Sequence, residues 1–161
     1  MKPVPARNAV GLWMLLALTV ALLGCGPARR EGGRLTVPEL GLTLTLPPGW
    51  KLDRQNPRLC SKGNATGLVV DEPLAAAEFP SRVDRLCREN QGQLRSQSTL
   101  TVNGHPGRLV VIEYPAAGSA AMNLFLHKAD TLIEISFVTP AEHFAAEESA
   151  LRAALQAVEL K

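Results

Sequence analysis

Between Gln93 and Val138 the chain passes through four segments of strand-forming composition joined by connections too short to be anything but turns. The segments are Gln93 to Val102, Arg108 to Tyr114, Ala120 to Lys128 and Thr131 to Val138. Their connections are Asn103-Gly104-His105-Pro106-Gly107, Pro115-Ala-Ala-Gly118 and Ala129-Asp130. A parallel return needs a crossover of about a dozen residues or more, so strands joined this closely run antiparallel. The pattern predicts a meander and excludes a βαβ fold.

The flanking sequence supplies the remaining elements. Leu35 to Leu40 and Leu42-Thr-Leu-Thr-Leu46 alternate apolar and polar residues, the signature of a strand with one buried face, and Pro47-Pro48-Gly49 stops the run before Trp50. Gly67-Leu-Val-Val-Asp71 reads as a further short strand between Gly63-Asn64 and Pro73. Phe79, Val83, Leu86, Cys87 and Asn90 share one helical face, with Pro80 in the first turn. A second helix follows the meander: Thr139-Pro140-Ala141-Glu142 has the form of a capping box, and Phe144, Glu148, Leu151, Leu155 and Val158 continue at helical spacing. The predicted class is α+β, an antiparallel sheet covered by two main helices. At 161 residues the chain holds one such domain, and no solenoid repeat is present. A net charge of +2 and 4% aromatic residues give neither the field nor the stacking surface for nucleic acid.

The N-terminus has a different character. Lys2 and Arg7 precede an uncharged run from Val10 to Leu23, which breaks at Gly24-Cys25-Gly26-Pro27. A basic segment followed by an apolar run shorter than the roughly 20 residues of a membrane span reads as a signal peptide. Leu22-Leu23-Gly24-Cys25 resembles the lipobox of bacterial lipoproteins, in which the cysteine is diacylated and becomes the first mature residue. The resemblance implies a signal peptide over 1–24, a lipidated Cys25 with a flexible tether over 25–34, and a single domain over 35–161. An uncleaved signal anchor, or secretion with a free Cys25, are the alternatives. Gly26, rather than an inner-membrane-retaining Asp, implies the outer membrane facing the periplasm if the cell is Gram-negative. Acyl chains on one residue suffice for stable anchoring. The tether reaches about 30 Å at most, and Arg29, Arg30 and Arg34 lie on it either as a solvated spacer or as head-group contacts. Of the seventeen Lys and Arg, two lie before Gly24, so the mature remainder balances the fifteen Asp and Glu.

Leu42-Thr-Leu-Thr-Leu-Pro-Pro-Gly-Trp50, Thr101-Val-Asn-Gly-His-Pro-Gly-Arg-Leu-Val-Val-Ile-Glu-Tyr114 and Ile135-Ser-Phe-Val138 with a terminal helix resemble the PsbP-like α/β/α sandwich family, which includes DcrB-type envelope lipoproteins. The resemblance spans residues 35 to 160 by order of elements. It implies an accessory or adaptor role, since no catalytic motif unites that family.

Chemistry is sparse in the mature region. Cys60 and Cys87 face an oxidising compartment and read as a structural disulfide or as two buried thiols; without a CxxC there is no redox motif. His105, His127 and His143 lack ligand spacing, so neither a metal nor another cofactor is expected. Gly118-Ser119-Ala120 is not a nucleophile elbow, and the adjacent pairs Asp71-Glu72 and Glu147-Glu148 point apart. Arg82, Arg85 and Arg88 recur along the first helix, either as a basic stripe for an anionic partner or as members of local pairs, Asp84 with Arg88 and Arg85 with Glu89. Trp50 is either a core anchor or a half-exposed contact residue. The expectation is a lipid-anchored, non-catalytic envelope protein that binds a protein partner, the alternative being a small-ligand carrier with a cavity between sheet and helix.

The lipobox reading makes Cys25 indispensable for membrane attachment. Cys25→Ser is expected to abolish labelling by a clickable palmitate analogue and to shift the protein to the soluble fraction; unchanged labelling would refute acylation at that residue.

Overall fold

Successive side chains of the central meander strands point to opposite faces of a single sheet and are buried on both, building two cores, one on either side. The computed structural model describes residues 33–89 and 92–161; the expected signal peptide, Cys25 and nearly all of the expected tether lie outside the described residues. The elements run β1 (Arg34–Val37), β2 (Leu42–Thr45), β3 (Lys51–Leu52), β4 (Leu59–Lys62), β5 (Ala65–Pro73), α1 (Phe79–Glu89), β6 (Gln93–Val102), β7 (His105–Tyr114), β8 (Ser119–Lys128), β9 (Thr131–Pro140), α2 (Ala141–Gln156) and β10 (Glu159–Leu160). The large sheet has the order β3-β4-β5-β9-β8-β7-β6 and is antiparallel throughout. β1, β2 and β10 form a separate small sheet.

On one face of the large sheet, Leu109, Val111, Met122, Leu124, Ile135 and Phe137 meet α2 and the small sheet. Phe144, Leu151 and Leu155 of α2 and Leu35, Leu42 and Leu44 of the small sheet are all at most 2% exposed in this core. Each such side chain contributes about 1.5 to 3 kcal/mol by leaving water. On the other face, Val110, Ile112, Phe125 and Leu132 receive Phe79 and Val83 of α1, with Leu86 and Cys87 half-buried at the margin. The result is the expected α+β sandwich, with a helix on each face.

Several details depart from the sequence reading. Arg34, assigned to the tether, opens β1. The strand expected over Leu35 to Leu40 ends at Val37, because Pro38 brings no N–H and starts a 3-10 turn that Gly41 closes at φ 65°. β3 and β4 were not anticipated, nor was β10. The capping box does not form: α2 begins at Ala141 with Pro140 in the cap position and no side chain capping it. The Asn103-Gly104 turn is a tight one, with both residues at positive φ of 48° and 85°.

Gly67 of β5 leaves the space that side chains of both neighbouring strands, Cys60 of β4 and Phe137 of β9, occupy. A Cβ built there would lie 2.5 Å from Cys60 Sγ and 2.8 Å from the Phe137 ring. Gly67→Ala is therefore expected to lower stability by about 1 to 3 kcal/mol in urea unfolding; a neutral result would mean that Phe137 is free to move.

Candidate functional site

The residues singled out in the sequence do not converge. Trp50 belongs to the larger core, not to a partner surface: it is 5% exposed and meets Phe137 edge to face at 4.8 Å between ring centroids. The wide indole fills the end of the core just after the Pro47-Pro48-Gly49 stop. The Cys60–Cys87 bridge is not formed. Both are free thiols, Cys60 buried in the α2-side core and Cys87 at the margin of the α1-side core, so the sheet itself separates them. Burial pushes the Cys60 thiol up to about 12 against a bond from the Gly67 backbone. Burial, with Asp84 nearby, also raises Cys87. Neither thiol is primed for nucleophilic or redox work.

The arginines of α1 divide into different roles. Arg82 grips the Glu72 carboxylate of β5 with Nε at 2.5 Å and Nη2 at 3.0 Å, a two-point clamp that fastens the helix to the sheet. Asp84 reaches Arg108 of β7 instead of the Arg88 that its spacing suggested. Arg85 and Arg88 are exposed. The stripe is thus interrupted by ion pairs that orient α1. His127 also serves packing: its Nε2 lies 2.8 Å from the Leu74 carbonyl and its ring 5.7 Å from that of Phe79. Among the described residues no three His, Cys, Asp or Glu side chains come together as a metal site.

The feature that sequence reasoning missed is the outer edge of β6. This ten-residue strand ends the large sheet, and among the described residues nothing pairs with its outer backbone groups. Gln93 to Thr99 and Thr101 are exposed, and Leu94 is 50% exposed. The opposite edge, β3, has only two residues. Long edges are commonly blunted by Lys, Pro or bulges, and β6 contains neither Lys nor Pro. Its one irregularity is a bulge at Arg95, between Leu94 and Ser96. That bulge turns Arg95 toward α2, where its Nη1 lies 3.6 Å from Glu148 and 3.7 Å from Glu113, with the guanidinium 5.8 Å from the centre of the Phe144 ring. From Gln97 to Val102 the register is regular. Beside Leu94, a cleft of about 310 Å³ lined by Asp84, Cys87, Arg88, Gly92 and Gln97 separates α1 from the strand. The polar composition of Gln93 to Val102 was the available signal: Ser, Thr and Gln on both faces suit an edge strand.

Beneath α1, Glu134 of β9 is partly buried, and that burial, reinforced by Glu72 and opposed by Arg82, pushes its carboxyl up to about 7. A carboxyl raised from 4.5 when folded makes the native state hold the extra proton, so stability falls as pH rises from about 4.5 through about 7 and is level above. Glu134→Gln is expected to flatten that slope and to stabilise the domain at pH 8 by on the order of 2 kcal/mol in urea titrations; an unchanged slope would assign the titration to another group.

No family model matches the sequence, and no curated protein matches it. Solved structures share the architecture, two of them as follows. The solution structure of the cyanobacterial PsbP, CyanoP, from Synechocystis sp. PCC 6803 superposes with a TM-score of 0.60 at 10% identity, covering 86% of this chain and 99% of that one. A Pseudomonas aeruginosa protein of unknown function, described as a putative regulator, gives 0.51 at 16% identity, covering 83% and 96%. At such identities the likeness establishes the fold alone. The domain has a PsbP-like α/β/α fold.

Proposed function

We propose that this chain is a lipid-anchored envelope protein whose domain docks a protein partner, without catalysis, by accepting an extended segment along the outer edge of β6. The observation that carries this reading is the unpaired ten-residue edge, free of Lys and Pro and flanked by exposed Leu94. Strand addition draws its affinity from main-chain hydrogen bonds and its selectivity from side-chain recesses beside the edge. The cleft at Leu94 is such a recess, and its mixed Asp84 and Arg88 lining suits a segment with polar side chains. The lipobox-like Leu22-Leu23-Gly24-Cys25 supports the anchor. Among the described residues no helix is long and apolar enough to cross a membrane. A tether of about 30 Å or less would keep the β6 edge near the lipid surface, which favours a partner that is itself membrane-associated.

Small-ligand carriage, the second reading, draws on recesses of about 310 and 330 Å³ at the periphery of the sheet. The interface between sheet and α2 is filled by side chains such as Met122, Leu124, Phe137 and Leu155, which have no exposure, so carriage would use a peripheral recess rather than a cavity under the helix.

A photo-crosslinking amino acid at Thr99, on the edge, is expected to give a discrete adduct in native membranes that is absent when the same group is placed at exposed Ser149 of α2. Replacing both Gln97 and Thr99 with Lys is expected to remove the adduct while leaving the melting temperature unchanged. Equal adducts from Thr99 and Ser149, or none from Thr99, would refute the edge as the docking site, and an adduct consisting of two copies of this chain would reassign the edge to self-association.

A further inference from the structure

The N-terminus of α2 opens onto a recess of about 330 Å³ beneath the β4–β5 turn. The helix lacks a cap: Pro140 occupies the cap position, its ring accepts no hydrogen bond, and no other side chain substitutes. The first four amides of an α-helix have no intrahelical acceptor. The N–H of Ala141 is taken by the Gly118 carbonyl at 2.9 Å. Pro140 has no N–H, and those of Glu142 and His143 are left at a terminus that carries about half a positive charge.

A second observation comes from the residue just before. Thr139 is 2% exposed and lines the recess, and its Oγ1 has no hydrogen-bond partner among the described residues. A buried hydroxyl without a partner is unfavourable, and native structures seldom keep one without a use. Lys62 of β4 stands across the recess, with Nζ 2.5 Å from Oε1 of Glu147. Asn64, in the turn, and His143 complete the polar lining.

We propose that this recess binds a carboxylate group, held by the uncapped amides of α2, the Thr139 hydroxyl and the Lys62 ammonium. The charge count selects the ligand class. Lys62 and Glu147 cancel, leaving the partial charge of the helix, which favours one added negative charge and not two. Glu142, 78% exposed at its side chain on the first turn, adds repulsion that weighs more heavily on a phosphate dianion. The volume lies at the lower end of ligand pockets, enough for a short acid or for the end of a peptide. The site stands independently of the β6 edge.

The test uses isotope-labelled full-length protein in detergent micelles, titrated with sodium acetate, sodium phosphate, and a trialanine peptide with either a free or an amidated C-terminus. Acetate is expected to produce saturable shifts of the Glu142 and His143 amide signals by about 50 mM, a range that covers millimolar dissociation constants. Tighter binding of the free-acid peptide than of acetate assigns the site to chain ends; equal binding assigns it to small free acids, and both outcomes support a carboxylate site. Thr139→Val keeps the shape but removes the hydroxyl. It is expected to leave the melting temperature level or raised while weakening acetate binding about tenfold, and Lys62→Met is expected to weaken it similarly. An absence of saturable shifts, phosphate binding more tightly than acetate, equal binding of the amidated peptide, or unchanged affinity in Thr139→Val would each overturn the proposal. So would a large drop in melting temperature in Thr139→Val, because it would mean that the hydroxyl already has a structural partner.

Discussion

The pairing of β5 with β9 holds the architecture together. It joins Thr66 with Val138 at one end and Pro73 with Thr131 at the other, so the early hairpin is fastened to the last strand of the meander. Without it the meander would end at β9 and the β3-β4-β5 portion would have no sheet to extend. The pairing also fixes which side chains face which core, because a one-residue slip would reverse every position on the strand. Ile133, Ile135 and Phe137 then point toward α2, and Leu132 points toward α1. Such a contact, distant in sequence, carries a loop-closure cost that local hairpins do not. The absence of a side chain at Gly67, which lets Phe137 close over Cys60, gives this seam its tight fit.

Local chemistry made the meander legible. Strand-forming composition and a short Asn-Gly-containing connection placed Gln93 to Val102 at its actual bounds, though the next strand starts at His105 rather than the expected Arg108, and the apolar face of Phe79, Val83, Leu86 and Cys87 marked α1. Elements stabilised mainly by their neighbours were not legible. β4, with the sequence Leu-Cys-Ser-Lys, has little alternation of its own and exists because β3 and β5 pair with it. β10 is two residues that complete the small sheet by pairing with Leu42 and Thr43. The cysteine pairing failed for a topological reason: counting thiols says nothing about which face of a sheet each occupies. The capping box failed by one residue, since Thr139 still belongs to β9 when Pro140 begins the turn into α2.

Charge in this domain mostly orients elements. Arg58 bridges Glu39, in the turn after β1, and Asp71 of β5, and these two carboxylates raise its affinity for the proton above the ordinary guanidinium value despite the opposing effect of burial. Arg82, Arg108 and Arg95 each tie one element to another. A run of arginines in a sequence thus resembles a binding stripe until the fold supplies carboxylates opposite them. For the same reason the candidate docking edge lay in a stretch with little charge and no motif, where the informative feature was unpaired backbone rather than any side chain.

The separation of the two thiols has a further consequence for how the domain opens. With no covalent staple between α1 and the rest, the helix is held by its clamp to Glu72, the Asp84 pair and a small apolar cluster that shares no residue with the larger core. Opening free energies within one native structure range from near zero to the global value, and elements resting on few buried contacts open first. α1 can therefore lift as a unit, uncovering Phe125 and Val110, while the α2-side core stays closed. The domain is in this sense built in two tiers: a permanent layer that defines the fold, and a lighter one whose detachment leaves the sheet intact.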